Sequence, residues 1–292
     1  MRLAAVAVAV VWATAAAAFD RFFIMGDGRL SLVNTHTDAR VDVRYRRADG
    51  TYDDGAIAAI RRAFRSEGDD SEGKVSLRLI EILSKLQKDT GVRPLTLMSG
   101  YRSPTYNDAL RASGVRAAGG SLHTEGLAAD VAFPRKMLKP LWMKVRAMDC
   151  CGAGYYAKDG FLHIDVGRPR FWEPATSRVE ENLSAGNALV FGRTEYDRYR
   201  AGERISVAIH AVTVPPVLLA EVAETEPATN ATVRLTAPAG RPDRCVAVNA
   251  TGANVELDGQ LPSGRRRLLL TTCNAESQTA PRLVATNAFE VH

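Results

Sequence analysis

Residues 121–130 read SLHTEGLAAD, and residues 161–166 read FLHIDV. The first stretch places Asp130 seven residues after His123, and the second stretch supplies His163. Two imidazoles and one carboxylate leave a zinc ion with residual positive charge and a fourth position for water, which is the arrangement of hydrolytic rather than structural zinc sites. The two stretches therefore predict a catalytic zinc site with His123, Asp130 and His163 as its protein ligands.

The local pattern of each stretch fits strands that can bring these ligands together. The first stretch runs into a short buried strand, and Gly126 before it lets the chain turn and return the carboxylate toward the first imidazole. The second stretch alternates as a strand does, which puts Phe161, His163 and Asp165 on one face. The alternative is that each histidine is an ordinary polar residue near a turn. Because the chain has 5 histidines and two of them fall in these segments beside an aspartate, we favour the metal site.

Several short motifs follow one another along the first half of the chain: LVNTHT at 32–37, SGYRSP at 99–104, Asn107, SxHxxGxAxD at 121–130, GYY at 154–156 and HID at 163–165. This string resembles the zinc murein peptidases of the D-Ala-D-Ala metallopeptidase and hedgehog-domain superfamily. Within it, the chain is most similar to the periplasmic murein endopeptidases whose last zinc ligand sits in an HID sequence. The resemblance spans roughly residues 28–172. It implies a small α+β fold with an antiparallel sheet, one zinc ion per chain on His123, Asp130 and His163, and hydrolysis of peptide bonds in peptidoglycan.

The chain departs from this resemblance at the general base, because many members carry an acid three residues before the last ligand and this chain has Gly160 there. Asp165 is our first candidate for the base. It is equally a candidate for a carboxylate that orients the ligating imidazole, and the residues leave both roles open. Asp159 is a weaker candidate for the base, since it lies in an expected exposed turn. Glu125 is expected at a solvated loop position rather than at the site.

Arg102 is a further candidate catalytic and substrate-binding residue. It follows an expected strand, residues 95–99, and precedes a helix introduced by Ser-Pro, where proline suits the first turn. A fixed guanidinium there could hold a substrate carboxylate or a developing oxyanion, and the alternative is an arginine that pairs within the fold. The other candidates to line the cleft are Tyr101, Ser121, Tyr155 and Tyr156; for the tyrosines, core packing is the alternative.

The amino terminus and the composition favour an exported protein. Residues 1–18 read as a secretory signal peptide, with Arg2 before an apolar run and an alanine-rich cleavage site. No later segment reaches transmembrane length. The net charge of +5 and the pI near 9.1 suit an anionic cell wall, and the resemblance implies peptidoglycan as the partner. The basic residues are scattered without an aromatic-basic motif, which argues against nucleic acid as a partner.

The four cysteines fit an oxidising compartment. Cys245 and Cys273 lie in the strand-rich carboxyl-terminal region and are expected to pair. Cys150 and Cys151 are adjacent; we expect them not to bridge each other and to be buried thiols behind the active-site sheet.

The sequence indicates two domains after the signal peptide: a zinc peptidase domain over residues 19–176, a linker over 177–189, and an all-β domain over 190–292. In the first, residues 29–45 predict a β-hairpin, and helices are expected over 53–66, 74–87, 104–113 and 136–148. In the second, short valine- and threonine-rich strands between turns predict an immunoglobulin- or fibronectin-like β-sandwich. It could bind glycan strands, bind a protein, or act as a spacer.

Together these features predict a zinc-dependent murein endopeptidase that cuts cross-links or stem peptides. Two alternatives within reach of the same site are a D,D- or L,D-carboxypeptidase and a cell-wall-binding protein that retains the zinc fold without catalysis. An exported zinc peptidase acting on proteins is a third.

Overall fold

The computed structural model describes residues 19–66, 72–114, 120–177, 181, 183–236, 245–249, 253–273, 275 and 279–292. The expected signal peptide lies outside these residues. No helix in the described part of the chain is both long enough and apolar enough to cross a membrane. Two hydrophobic cores are present: one is built mainly from residues 30–166 and the other from residues 190–291.

The first half of the chain forms an α+β unit. Its elements are β1 Arg29–Asn34, β2 Arg40–Arg44, α1 Asp54–Ala63, α2 Leu77–Thr90, β3 Leu95–Ser99, α3 Pro104–Ala112, the 3-10 turn η1 Leu122–Glu125, β4 Ala128–Ala132, α4 Arg135–Ala147, β5 Gly152–Tyr156, β6 Phe161–Asp165 and β7 Arg170–Trp172. The predicted hairpin and the four predicted helices are confirmed, with ends shifted by a few residues.

Helix α2 shows why these elements form where they do. The side chain of Ser76 accepts a hydrogen bond from the Leu79 N–H and so caps the start of the helix. Apolar residues at helical spacing, among them Leu79, Leu83 and Leu86, are fully buried against the sheet. The helix ends at Gly91, which has a φ of 69° and closes the last turn.

Among the described residues, seven strands form one sheet in the order β2-β1-β3-β4-β6-β5-β7. The expected antiparallel sheet is wrong in part, because β1 pairs with β3 in parallel and so does β5 with β7. A helix-containing crossover separates β1 from β3, and such a connection can return a strand in the same direction. The central strands β3, β4 and β6 are antiparallel neighbours, and they carry the residues of interest.

The second half is built almost entirely of strands. These are β8 Phe191–Thr194, β9 Arg198–Tyr199, β10 Ser206–His210, β11 Val217–Ala220, β12 Val222–Glu226, β13 Val233–Thr236, β14 Cys245–Val248, β15 Ala253–Asp258, β16 Gly264–Thr271, β17 Leu283–Ala285 and β18 Phe289–Val291, preceded by a short 3-10 turn, η2 Ala185–Asn187. In the described residues, one sheet runs β8-β10-β15-β13-β12-β16-β18-β9 with β17 beside β16, and β11 pairs separately with β14. The strands alternate buried and exposed residues, as strands with one face on a core do.

The cysteines differ from expectation in one place. Cys245 is bonded to Cys273, the predicted pair, with Cα atoms 6.6 Å apart. Cys150 is bonded to Cys151, so the expectation that these adjacent residues would not bridge each other is wrong. They lie in the turn from α4 to β5 just after Asp149, where φ is 48°, and this sharp turn brings the two side chains together.

Candidate metal centre

His123 lies on the turn η1, which ends at Gly126. Gly126 has a φ of 70°, and a Cβ there would stand 2.7 Å from the carbonyl carbon of Lys74. Glycine therefore allows both the left-handed backbone and the close approach of the neighbouring chain. The chain turns here from η1 into β4, as the sequence predicts.

Asp130 and His163 occupy adjacent central strands, β4 and β6, and face each other directly in antiparallel register. Side chains of directly opposed residues project to the same face of a sheet. The same register puts Asp165 on this face two residues further along β6. The two-residue period of β6 therefore places the Asp165 carboxylate beside the His163 imidazole. His123 lies next to them on the turn η1.

The three predicted ligands converge. Nδ1 of His163 lies 2.8 Å from Oδ1 of Asp130 and 3.3 Å from Nε2 of His123, and Nε2 of His123 lies 3.5 Å from Oδ2 of Asp130. One nitrogen or oxygen from each residue lies within 4.8 Å of the other two. The outer nitrogen of His123, Nδ1, is 2.7 Å from the carbonyl oxygen of Gly100. Since that nitrogen donates to a carbonyl, Nε2 is left as the acceptor that can bind a metal.

Burial and charge set the protonation of the cluster. Burial opposes ionisation of Asp130, but the two histidines outweigh it and hold the pKa of Asp130 well below its ordinary value. Burial lowers the pKa of His123. It acts in the same direction on His163, but hydrogen bonds to Asp130 and Asp165 outweigh it and raise the pKa of His163 to about 9. Asp130 is therefore ionised beside the two imidazoles, and an ionised carboxylate next to imidazole nitrogens is a suitable set of donors for a cation.

Asp165 lies behind His163 and is fully buried. Its Oδ2 is 3.1 Å from Nε2 of His163, and its Oδ1 accepts the backbone N–H of Gly167 at 2.8 Å. Arg170 reaches both oxygens, at 3.1 and 2.9 Å. Burial would raise the pKa of Asp165, but Arg170 and His163 lower it to about 2. A Cβ at Gly152 would stand 2.2 Å from Oδ2, so glycine opposite on β5 makes room for this carboxylate.

Arg102 stands at the edge of the cluster, between β3 and α3. Its Nε donates to Oγ of Ser99 at 2.9 Å, and its Nη2 lies 3.3 Å from Oδ2 of Asp130. Its backbone N–H donates to the carbonyl oxygen of His123 at 3.2 Å. Both the side chain and the main chain of Arg102 are thus fixed to residues of the candidate metal centre.

Trp172 covers His163, and Tyr156 contacts Trp172. The Trp172 ring centroid lies 5.1 Å from that of His163, and Nε1 of Trp172 donates to the Tyr156 hydroxyl at 3.2 Å. Tyr156 also stacks on Phe161 at 4.5 Å, and burial raises its pKa. A Cβ at Gly154 would stand 2.7 Å from the Trp172 ring, so this glycine lets the indole lie against the sheet.

The remaining candidates lie further from the cluster's centre. Tyr101 is 3% exposed and belongs to the hydrophobic core, which leaves it little surface for a substrate. Tyr155 stacks on Trp142 at 5.6 Å, on the opposite face of β5 from Tyr156. Ser121 is buried at the cap position of η1. Asp159 is exposed in the turn between β5 and β6, as expected.

Glu125 departs from the expectation of a solvated loop position, which is wrong. Its side chain is 5% exposed and binds His210 of the second half of the chain. Sequence reasoning also missed Trp172 and the two glycines of β5. The sequence does contain a signal for the glycines. Two glycines two residues apart on one strand indicate a face of that strand against which larger side chains of its neighbours pack closely. No local signal links residues as distant as Glu125 and His210.

Comparison with known proteins places these features in a family. The sequence profile of the family described as peptidoglycan L,D-endopeptidase MepK matches residues 25–172. The protein named peptidoglycan L,D-endopeptidase MepK of Escherichia coli K12 is 33% identical over 144 residues, which make up 49% of this chain and 79% of that protein. A protein of Haemophilus influenzae, named probable peptidoglycan L,D-endopeptidase MepK, is 24% identical over 146 residues, or 49% of this chain and 78% of its own length. No solved structure matches the chain significantly.

Proposed function

The chain belongs to the peptidoglycan L,D-endopeptidase MepK family, and from that premise we propose that it cuts L,D peptide bonds of peptidoglycan with a zinc ion held by His123, Asp130 and His163. The observation that carries the proposal is the convergence of these three donors within 4.8 Å of one another, two of them on adjacent strands and one on the turn η1. Two imidazole nitrogens and one carboxylate oxygen are a ligand set that suits a catalytic zinc ion in a hydrolase. A bound zinc ion supplies Lewis-acid polarisation of the scissile carbonyl and lowers the pKa of water toward neutrality.

The protein fixes each imidazole through its outer nitrogen. Nδ1 of His123 is held by the carbonyl oxygen of Gly100, and Nε2 of His163 is held by the Asp165 carboxylate. These partners leave Nε2 of His123 and Nδ1 of His163 as the ligating atoms.

The contacts of Asp165 favour its role as the orienting carboxylate over its role as the general base. Its oxygens are occupied by His163, Gly167 and Arg170, and it lies on the side of His163 away from the ligating nitrogen. A base must reach the proton that it accepts, whereas an orienting carboxylate needs only the contact to the imidazole.

Arg102 supplies positive charge at the edge of the site. With Nε held by Ser99, its guanidinium is fixed in direction. A preorganised donor of this kind stabilises negative charge that develops on a carbonyl oxygen, or holds a carboxylate of the substrate. We assign Arg102 this role and place Tyr156, with Trp172, along the wall of the cleft.

We further propose that residues 1–18 direct export to the periplasm, where peptidoglycan is found, and that the domain limits are 19–176, 177–189 and 190–292. The two hydrophobic cores support the division, because one is built mainly from residues before 177 and the other from residues after 189. The mostly antiparallel strands around the second core and the Cys245–Cys273 bond support an immunoglobulin-like sandwich for the second domain.

The test is mass spectrometry of purified muropeptides that contain either an L,D or a D,D cross-link, each incubated with the mature protein. The proposal predicts that the L,D-linked dimer is split into its two halves and that the D,D-linked dimer stays intact. Removal of only a terminal residue would indicate a carboxypeptidase. Intact substrates with a zinc-loaded protein would favour a binding protein and contradict the proposal.

A further inference from the structure

One edge of the second domain lies directly against the metal centre. This edge consists of β8 and β10, which pair so that His210 is opposite Phe191. Phe191 and Ala211, which follows β10, are buried within the hydrophobic core of the peptidase domain. The β8–β10 edge therefore completes the core on which the metal centre is built.

The first contact from this edge holds the turn that carries His123. Glu125 closes that turn, and its Oε2 lies 2.5 Å from Nδ1 of His210 while its Oε1 accepts the N–H of Ala211 at 2.9 Å. The side chains of Glu125 and His210 are 5% and 9% exposed. A single buried carboxylate thus connects η1 to the second domain.

Ala211 adopts an unusual backbone conformation at this contact, with a φ of 59°. Residues other than glycine rarely adopt this left-handed region because the Cβ crowds the backbone. Such strain persists where the surrounding structure determines it, and it clusters at functional sites. Here the strained residue presents its N–H to Glu125.

The second contact leads to His163. Arg193 of β8 donates from Nη2 to the carbonyl oxygen of Gly167 at 2.5 Å. The N–H of the same Gly167 donates to Asp165 at 2.8 Å, and Asp165 holds His163 at 3.1 Å. A Cβ at Gly167 would stand 2.6 Å from the Leu122 side chain, so this loop also packs against η1.

We propose that the second domain is a structural part of the metal centre, in which Glu125, His210 and Arg193 are positioning residues that fix the two ligand-bearing segments. The inference rests on the proposed zinc site. It adds that residues of the second domain set the affinity of that site for zinc. In the family comparison the match ends at residue 172, and the unmatched fifth of the Escherichia coli relative is far shorter than the second domain. The contacts from β8 and β10 to the metal centre therefore come from residues outside the region that this chain shares with that relative.

The test measures zinc affinity by competition with a chromophoric chelator, using the full-length mature protein. Glu125→Ala and His210→Ala are each expected to weaken zinc binding by at least about tenfold, the lower end of the effect of removing a partner that orients a ligand. His210→Asn retains a side-chain N–H donor at the position of Nδ1, the atom that contacts Glu125, and is expected to restore most of the affinity.

Glu203→Gln is the matched control, because Glu203 joins Arg21 in an ion pair that also connects the amino-terminal segment to the second domain. It is expected to leave zinc affinity unchanged. If it lowers the affinity as much as His210→Ala does, the effect is general loosening of the domains and the proposal is wrong. If His210→Ala does not fold, Arg193→Met provides the same test through Gly167.

The outcomes separate this inference from the proposed function. Wild-type protein that binds no zinc contradicts both. Wild-type protein that binds zinc, with folded variants that bind it equally well, contradicts only the positioning role and favours a second domain that acts as a separate binding module.

Discussion

Replacing Asp165 by asparagine tests the geometry of the metal centre most sharply. The amide keeps the size of the carboxylate but loses its charge. Its oxygen is expected to face the Gly167 N–H and Arg170, where Oδ1 now accepts two hydrogen bonds. Its NH₂ then faces Nε2 of His163, which must become an acceptor. The proton of the neutral imidazole moves to Nδ1, the atom that we assign to the metal.

The expected magnitude follows from the contacts that are lost. A hydrogen bond to a charged partner contributes about 1.5–3 kcal/mol, and removal of a carboxylate that orients a ligand typically lowers metal affinity or activity by about 10- to 100-fold. Asp165 is fully buried, so solvent does not screen the change. We therefore expect Asp165→Asn to lower zinc affinity by about 10- to 100-fold, and saturating zinc to restore most of the turnover.

The assay is a zinc titration against a competing chelator, followed by muropeptide cleavage at saturating zinc. The matched control is Asp42→Asn on the edge strand β2, where the side chain is exposed, and this variant should change neither quantity. Unchanged zinc affinity with a collapse of turnover would identify Asp165 as the base and refute the reasoning. Unchanged affinity and unchanged turnover would exclude both roles.

Three further predictions follow from the same structure. Gly152→Ala should also weaken zinc binding in the chelator competition, because the new Cβ would stand 2.2 Å from the Asp165 carboxylate; equal affinity would mean that this carboxylate is free to move. Arg102→Lys should lower kcat by about 100-fold, as loss of an oriented oxyanion donor does, while metal content by elemental analysis stays at one zinc per chain; full activity would remove Arg102 from the mechanism. Ser76→Ala should lower the free energy of unfolding, measured in urea, by about 1 kcal/mol because the helix cap is lost. Zinc affinity should stay the same. A loss of zinc binding would show that stability and metal binding are coupled in this protein.

Local patterns in the sequence were sufficient to predict the centre of the peptidase domain. The two-residue period of the strand around His163 and the turn at Gly126 correctly predict that this imidazole and Asp130 share a face. These features depend only on neighbouring residues, so periodicity and turn preference carry them.

Contacts between distant parts of the chain were not predictable in this way. The contact between Glu125 and His210 spans 85 residues and joins the two halves of the chain, and neither residue has a local sequence environment that indicates it. The parallel pairing of β1 with β3 likewise depends on how the intervening helices pack. The Cys150–Cys151 bond depends on the backbone of a sharp turn rather than on spacing. Such features depend on how distant segments pack together, and the local patterns of a single sequence do not show this packing.

The central claim is that His123, Asp130 and His163 hold a catalytic zinc ion. The most direct measurement is cleavage of cross-linked muropeptides by the mature protein before chelation, after chelation, and after zinc is returned, with His163→Ala measured in parallel. The account predicts fragments that vanish with the chelator and return with zinc, and none from the variant. Cleavage that persists after complete removal of metal, or an active His163→Ala variant, would contradict it.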